Sequence, residues 1–328
     1  MTEAKSHFSF FSHLRFVAQT VLGLNRRNSH YIFSLNPLEL LPLVDEKHIT
    51  KQRLAALNIP SPTTYGVLRA RHELRHLPAL CAGHADFVIK PSRGHGGGGI
   101  VICMQTTPGT FQVSGNRTWT FTELTNHVDE ILSGVFALDE RSDTALIEER
   151  IHLAPILEPL TFEGIPDLRI LVVQGVPLLA MLRLPTKRSG GRANLHVGGI
   201  GLGVDLATGI TRRGIYRNFL IKRHPDTKAL LSDFHIPHWH ELLCIAAHCA
   251  DAVPLGYLGV DLVLDARHGP QVLELNARPG LQIQLANGVG LRPLLDTRKK
   301  FPAHIASIDD RVAAGIGIYA EVLARYEE

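Results

Sequence analysis

Two runs near the C-terminal end, Gly259-Val260-Asp261-Leu262-Val263-Leu264 and Val272-Leu273-Glu274-Leu275-Asn276, set polar groups among apolar ones at a strand period. Ala266-Arg267-His268-Gly269 between them reads as a tight turn. Pairing about the centre of that turn sets Asp261 opposite Glu274, and Asn276, two residues on, falls on the same face. Like charges directly opposed on a sheet, with Cβ atoms about 4.5–5.5 Å apart, destabilise it, so the patch asks for a cation. A hard ion with oxygen ligands, Mg²⁺, suits two carboxylates and an amide; acids solvated on an exposed strand are the alternative.

A second constraint lies far upstream. Phe87-Val88-Ile89-Lys90 and Gly99-Ile100-Val101-Ile102-Cys103 are short apolar strands, and the connection between them is Pro91-Ser92-Arg93-Gly94-His95-Gly96-Gly97-Gly98. Backbone amides on such a loop can approach phosphate oxygens closely, because no Cβ intervenes. A P-loop would need Gly-Lys-Ser/Thr running into a helix, and a dinucleotide fingerprint a strand-to-helix setting; here strand follows strand, which predicts a hinged flap. A flexible connector has the same composition. Lys90, closing the first strand beside the flap, is positioned to reach a nucleotide's phosphates or base.

With these segments in this order, the chain resembles the ATP-grasp superfamily. The likeness is to the branch of ribosomal-protein glutamate ligases and related alpha-L-glutamate ligases, with D-alanine:D-alanine ligase more distant. It runs from about Lys47 to Leu281. Asp45-Glu46-Lys47 before Asn58-Ile59-Pro60-Ser61-Pro62 is similar to the opening of the grasp, which implies that Lys47 contacts nucleotide phosphate. The Phe87 to Val101 stretch is similar to the second lysine and flap, implying Lys90 beside adenine and the α-phosphate, with Gly96, Gly97 and Gly98 over the nucleotide. Ala145-Leu146-Ile147-Glu148-Glu149-Arg150-Ile151 resembles the hinge strand, implying that Glu148, the Glu149 carbonyl and the Ile151 amide read the adenine edge. Asp167-Leu168-Arg169 resembles the Asp-Ile-Arg of the glutamate-ligase branch, and Arg192-Ala193-Asn194 its Arg-x-Asn stretch ahead of Gly198-Gly199. Asp261, Glu274 and Asn276 match the family's Mg²⁺ ligands in type and spacing.

The resemblance implies an α+β chain with the ATP-grasp fold, two lobes of antiparallel sheet plus helices clasping ATP over residues 46–284. An N-terminal helical extension, 1–45, and a C-terminal tail with a helix, 285–328, complete the expectation. It implies ATP and Mg²⁺ as cofactors, two ions with Mn²⁺ able to substitute. Two departures concern substrate recognition. Only 46 residues stand before Lys47, too few for the α/β domain that usually precedes the grasp, and Val197 occupies a position that is often basic in the branch.

Composition fits an enzyme of two or three lobes: 328 residues, 45% hydrophobic and 20% charged, exclude a disordered chain. A formal charge of +3 gives no electrostatic case for nucleic acid. The four cysteines form no Cys-x-x-Cys pair, which fits reduced thiols in the cytoplasm. Phe8 to Leu22 is apolar, yet Arg15 and Gln19 interrupt it and helical spacing runs through it. It reads as an amphipathic helix docked on the body, with peripheral membrane contact as the alternative. Leu24-Asn25-Arg26-Arg27-Asn28-Ser29 reads as a polar, basic break, a solvated loop in the plainer reading and an edge of the substrate mouth in the other.

Thr120-Phe121-Thr122-Glu123 resembles a capping box opening a helix to about Phe136. Leu168–Val173 and Val176–Leu182 form a hairpin about Gln174-Gly175, and helices run from about His238 to Val253 and from Ile308 to Tyr326. Among 18 histidines, His235-Ile236-Pro237-His238-Trp239-His240 reads as a helix start with solvated imidazoles rather than a metal site, and Cys244 and Cys249 read as buried packing.

The expected activity is ligation of a small-molecule or peptide carboxylate to an amine through an acyl phosphate. Lys47 and Lys90 would offset phosphate charge. Arg278, two residues past Asn276, would steady an oxyanion, with Arg183, Arg192 and Asn194 gripping phosphoryl or carboxylate; surface ion pairing is the plainer role for each arginine. Kinase activity on a hydroxyl and nucleotide binding without turnover are the competing functions.

Overall fold

The computed structural model describes residues 19–327 apart from 95, 116 and 138–140. Its first sheet contains β1 (Thr64–Leu68), β2 (Asp86–Pro91), β3 (Val101–Thr107), β4 (Thr110–Val113), β5 (Arg117–Thr120) and β6 (Ala145–Glu148). These pair antiparallel in the order β1-β6-β2-β3-β4-β5. Phe87 and Ile89 alternate along β2 and bury completely against Phe111, Leu124, Val128 and Ile131. The last three recur at helical spacing on α2 (Phe121–Leu132), which follows α1 (Lys47–Ala56) in the chain. The capping box that opens α2 is real: Glu123 N donates to Thr120 Oγ1 at 3.3 Å and Thr120 N to Glu123 Oε2 at 2.7 Å. The helix stops at Leu132, four residues short of the expected end, because Gly134 turns left-handed at φ +83°.

The second sheet has seven strands, β7 (Asp167–Val173), β8 (Val176–Leu184), β9 (Ile200–Val204), β10 (Thr211–Tyr216), β11 (Phe219–Ile221), β12 (Tyr257–Asp265) and β13 (Gly269–Asn276). Their order is β11-β10-β9-β8-β7-β12-β13. Gln174 and Gly175 both have positive φ, +48° and +78°, so the expected β7–β8 hairpin closes on a two-residue turn that follows strand twist. α3 (Trp239–Ala252) and α5 (Ile308–Glu327) pack on this sheet, with α4 (Leu291–Arg298) between them in the chain. Together they bury the larger of two separate apolar cores. Both sheets are antiparallel with helices applied, the α+β arrangement expected.

Asp261 does pair with Glu274, but the turn is not the two-residue one the sequence suggests. Asp265 pairs with Gly269 across a three-residue loop, and the pairs Leu262–Val272 and Asp261–Glu274 leave Leu273 as an extra residue. The bulge shifts the register by one and restores the opposition that the tighter turn would have given. Asp265 Oδ1 stabilises the loop by accepting from the amides of Arg267 and His268 at 2.8 and 2.9 Å.

Residues 8–18 of the anticipated N-terminal helix lie outside the described residues; 19–20 are helical and 21–23 are not. Leu22 leaves the helix because both its backbone groups bond to the Gln284 side chain, at 2.8 and 3.1 Å. The basic stretch from Leu24 is helical rather than a solvated loop, and Arg27 is buried, donating to the Pro279 carbonyl at 3.0 Å. β3 begins at Val101, two residues late, because Gly99 is left-handed at φ +75°. Cys249 is buried as expected, whereas Cys244 is only partly covered and faces His240. Among the described residues, no helix is long and apolar enough to cross a membrane.

Candidate functional site

Strand pairing alone assembles a charged ladder on one face of the second sheet. Asp167 lies opposite Arg183 across β7–β8, Arg169 opposite Asp261 across β7–β12, and Asp261 opposite Glu274 across β12–β13. Arg169 grips Asp261 with both arms of its guanidinium, Nε to Oδ1 at 2.7 Å and Nη2 to Oδ2 at 2.6 Å. Arg183 binds Asp167 through Nε and Nη2 and also reaches Asp261 Oδ2 at 2.8 Å. Asn276 adds a fourth donor to Asp261, Nδ2 to Oδ2 at 3.1 Å. Burial acts against both acids. Arg169 and Arg183 overcome it at Asp261 and hold that carboxyl below its ordinary range, while Asp167, beside the Asp261 charge, stays above its own.

The lysines arrive from the other side. Lys47, at the start of α1, sets its Nζ 3.4 Å from Glu274 Oε1 and donates to the carbonyls of Ser92 and Gly94 at 3.3 and 3.0 Å. One side chain therefore ties the ladder to the root of the glycine-rich loop. Lys90, closing β2, lies 2.5 Å from Glu148 Oε1 on the adjacent β6. Lys51, which sequence analysis did not single out, lies 3.1 Å from Glu148 Oε2 and donates to the Pro62 carbonyl at 2.7 Å. Its signal was present: four residues after Lys47, it shares that residue's face of α1. Burial lowers the Lys51 pKa to about 8 against the pull of Glu148. Burial would raise Glu148, but the two ammonium groups hold it low. Just beyond, neither the Glu149 carbonyl nor the Ile151 amide has a hydrogen-bond partner among the described residues. The Glu149 side chain itself turns away to Arg267 and His268, at 3.2 and 3.0 Å.

The glycine-rich loop is pinned at both roots rather than freely hinged. Arg93 N donates to both oxygens of Asp143 at 3.1 and 2.9 Å, and Arg93 Nη2 reaches Glu46 at 2.7 Å. His127 Nε2 lies 2.9 Å from the Gly99 carbonyl. The tip, with Gly96 and Gly97 exposed at φ +60° and +82°, reaches the basic loop that joins β8 to β9 in the other sheet, residues 185–199. There Arg192 Nη1 donates to the Gly96 carbonyl at 3.3 Å. Asn194 stands beside Gly96 and caps the short turn Leu195–Val197 by accepting from His196 N at 2.9 Å. Arg278 is exposed and paired with Asp45 at 3.4 Å, at the edge of this assembly.

Behind the basic loop lies a cleft of about 510 Å³ lined by Arg188, His196, Arg217, Asn218 and Gln282. Among the described residues, the side chains of Arg188, His196 and Arg217 have no carboxylate partner. No motif marked this cleft, because three distant segments form it.

The charged ladder also tests the implied metal. Asp261, Glu274 and Asn276 offer only oxygen donors, the kind a hard divalent cation takes. Glu274 is half-buried with Lys47 as its ion pair, and the side-chain oxygen of Asn276, Oδ1, has no partner among the described residues. The Asp261 oxygens are shared with two guanidinium groups, so Glu274 and Asn276 are the more available ligands. The set fits Mg²⁺ on these terms.

The ATP-grasp ligase PsnB with its minimal precursor is 14% identical with a TM-score of 0.42, over 85% of this chain and 64% of that one. D-cycloserine synthetase DcsG is 14% identical with a TM-score of 0.42, over 75% and 66%, so this chain spans less than two thirds of either protein. D-alanine–D-alanine ligase from Bacillus anthracis is 16% identical with a TM-score of 0.38, over 85% and 69%. No curated protein matches the sequence at a significant level. The profile described as sugar-transfer associated ATP-grasp matches residues 26–300, most of the chain. With two antiparallel sheets bearing helices and a glycine-rich loop between them, the chain belongs to the sugar-transfer associated ATP-grasp family and has the ATP-grasp fold.

Proposed function

We propose that this protein is an ATP-dependent ligase that joins a carboxylate to an amine, as in the glutamate-ligase branch of the superfamily. The observation that carries the reading is Lys47, which meets Glu274 on one sheet and the loop carbonyls of Ser92 and Gly94 on the other. A triphosphate between the sheets would replace those carbonyls as the partner of Lys47. The adenine edge would bond the free Glu149 carbonyl and Ile151 amide, with Lys90 nearby.

In the reaction, a carboxylate oxygen attacks the γ-phosphorus of ATP and the bond to the bridging oxygen breaks, releasing ADP and an acyl phosphate. The amine nitrogen then attacks the acyl carbon, and collapse of the resulting oxyanion expels phosphate while the nitrogen loses a proton. Lys47, Lys90 and Arg192 offset the charge on the phosphates, since position and electrostatics do most of the catalysis in such transfers. Asp261, Glu274 and Asn276 would hold Mg²⁺, which neutralises phosphate charge when bound. Arg278, exposed at the rim, would meet the acyl oxyanion. Arg183, locked to two buried acids, holds Asp261 in position instead of gripping substrate. The cleft of Arg188, His196 and Arg217 would take an anionic group of the acceptor, whether peptide, small metabolite or polysaccharide.

Phosphate release with ATP, Mg²⁺ and panels of carboxylates and amines tests this reading. A ligase forms ADP and phosphate in step with an amide product, and only when both acceptors are present. A kinase forms ADP without free phosphate, and ADP absent under every combination excludes turnover.

A further inference from the structure

We propose that His240, Cys244 and Asp309 form a zinc site that fastens the C-terminal helix α5 to α3. His240 and Cys244 are one turn apart on α3, so their side chains share a face, and Asp309 lies in the first turn of α5 beside them. Cys244 Sγ is 4.0 Å from His240 Nε2 and 3.8 Å from Asp309 Oδ1, and those two atoms are 3.9 Å apart. The triangle is almost equilateral. A point in its plane equidistant from the corners lies about 2.3 Å from each, at the upper end of zinc bond lengths of about 2.0–2.3 Å. Tetrahedral zinc would set the donors about 3.4–3.6 Å apart, a contraction of a few tenths of an ångström. His240 and Asp309 can supply it, because their side chains are 70% and 82% exposed and free to rotate.

The frame is set without the ion. Arg311, two residues beyond Asp309, donates to both oxygens of Asp251 on α3 at 2.8 and 2.9 Å, holding the same end of α5 in place. Nitrogen, sulfur and oxygen donors together select a borderline cation such as Zn²⁺ over the hard Mg²⁺ assigned to the ladder. Three protein donors leave the fourth position to water, and at the junction of two helices the ion would act as a clamp. Zinc binds the Cys244 thiolate and the displaced proton goes to solvent, so affinity falls as pH is lowered.

Chelator-stripped full-length protein titrated with Co²⁺ tests the assignment. The expected result is one equivalent bound with a near-ultraviolet thiolate-to-cobalt band and the visible bands of tetrahedral cobalt, both abolished by Zn²⁺. Cys244→Ser should remove the thiolate band. His240→Ala and Asp309→Asn should each weaken Zn²⁺ at least about tenfold in competition with a chromophoric chelator. His238→Ala, a change at an exposed neighbour paired with Glu241, should leave binding as it was. Zn²⁺ should also raise the melting temperature of the unaltered protein and not of Cys244→Ser. No thiolate band, undiminished affinity in Cys244→Ser, or equal loss in His238→Ala would each overturn the site. None of these readouts depends on nucleotide turnover.

Discussion

Arg169 and Asp261 face each other across neighbouring strands and bind through two hydrogen bonds of 2.7 and 2.6 Å, on the same ladder rung that opposes Asp261 to Glu274. The acid that sequence spacing marks as a metal ligand is therefore the best-anchored carboxylate in the site. Anchoring has consequences for stability as well as chemistry.

Arg183 is shared by Asp167 and Asp261, both buried. Removing it with Arg183→Met strands the Asp167 carboxylate, while Asp261 keeps Arg169, and should cost about 3–5 kcal/mol, the usual penalty for breaking a buried ion pair. Urea unfolding measures the loss. A change under about 1 kcal/mol would mean that the arginine does not carry this network.

Glu274 is half-exposed, so Glu274→Gln should leave stability within about 1 kcal/mol of the parent. ATP-dependent phosphate release should fall by about 10²-fold or more, as when one preorganised electrostatic partner is lost. Full activity in this variant would discredit the ladder as the phosphate end of the site.

Lys51 has a pH signature. Its folded pKa of about 8 lies below the ordinary lysine value of 10.5, so between the two the unfolded chain holds more protons and stability gained from this group rises with pH. Below pH 8 the burial penalty is present in full. Lys51→Met removes that titration and leaves Lys90 with Glu148. The melting temperature of the parent should therefore rise relative to Lys51→Met as pH is taken from 7 toward 10. A gap that does not change with pH would contradict the assignment.

Arg192 meets the loop tip through a single hydrogen bond to the Gly96 carbonyl. With Arg192→Ala, amide exchange at Gly96 to Gly98 should quicken while the β-strand amides are unaffected, and turnover should drop by about tenfold to a hundredfold. Unaltered exchange would show that the loop tip is held by other contacts.

Arg298 is almost fully buried and makes five hydrogen bonds, all to backbone carbonyls, including those of Val173 and Gln174 on the β7–β8 turn. Arg298→Met would leave these acceptors unsatisfied, at about 1–3 kcal/mol for each that water cannot reach. Calorimetry should register a loss of at least about 3 kcal/mol. A melting temperature equal to the parent's would remove Arg298 as the tether of the C-terminal segment.

Periodicity and capping were legible from residues in local order. The Thr120–Glu123 box, the Gln174-Gly175 turn and the acid-bearing hairpin all express choices made within a few residues. The end of α2 was misplaced because apolar spacing continues past Gly134, where only the left-handed backbone stops the helix. The N-terminal basic stretch was misread because its polarity suggests solvent. Burial of Arg27 depends on the Pro279 carbonyl, 252 residues away.

The sequence by itself determined that Glu274 and Asn276 share one strand face and that Asp261 lies on the neighbouring strand of the same hairpin, since alternation fixes both, whereas the bulge at Leu273 that sets Asp261 opposite Glu274 belongs to the structure. Only the tertiary structure decided what those groups meet. Lys51 against Glu148, Arg192 against the loop tip, Arg188 with Arg217 around a cleft, and Cys244 with Asp309 each join segments that no local pattern relates. The physical reason is that charge and hydrogen-bond energies depend on separation in space, and the packing of two sheets and their helices sets that separation.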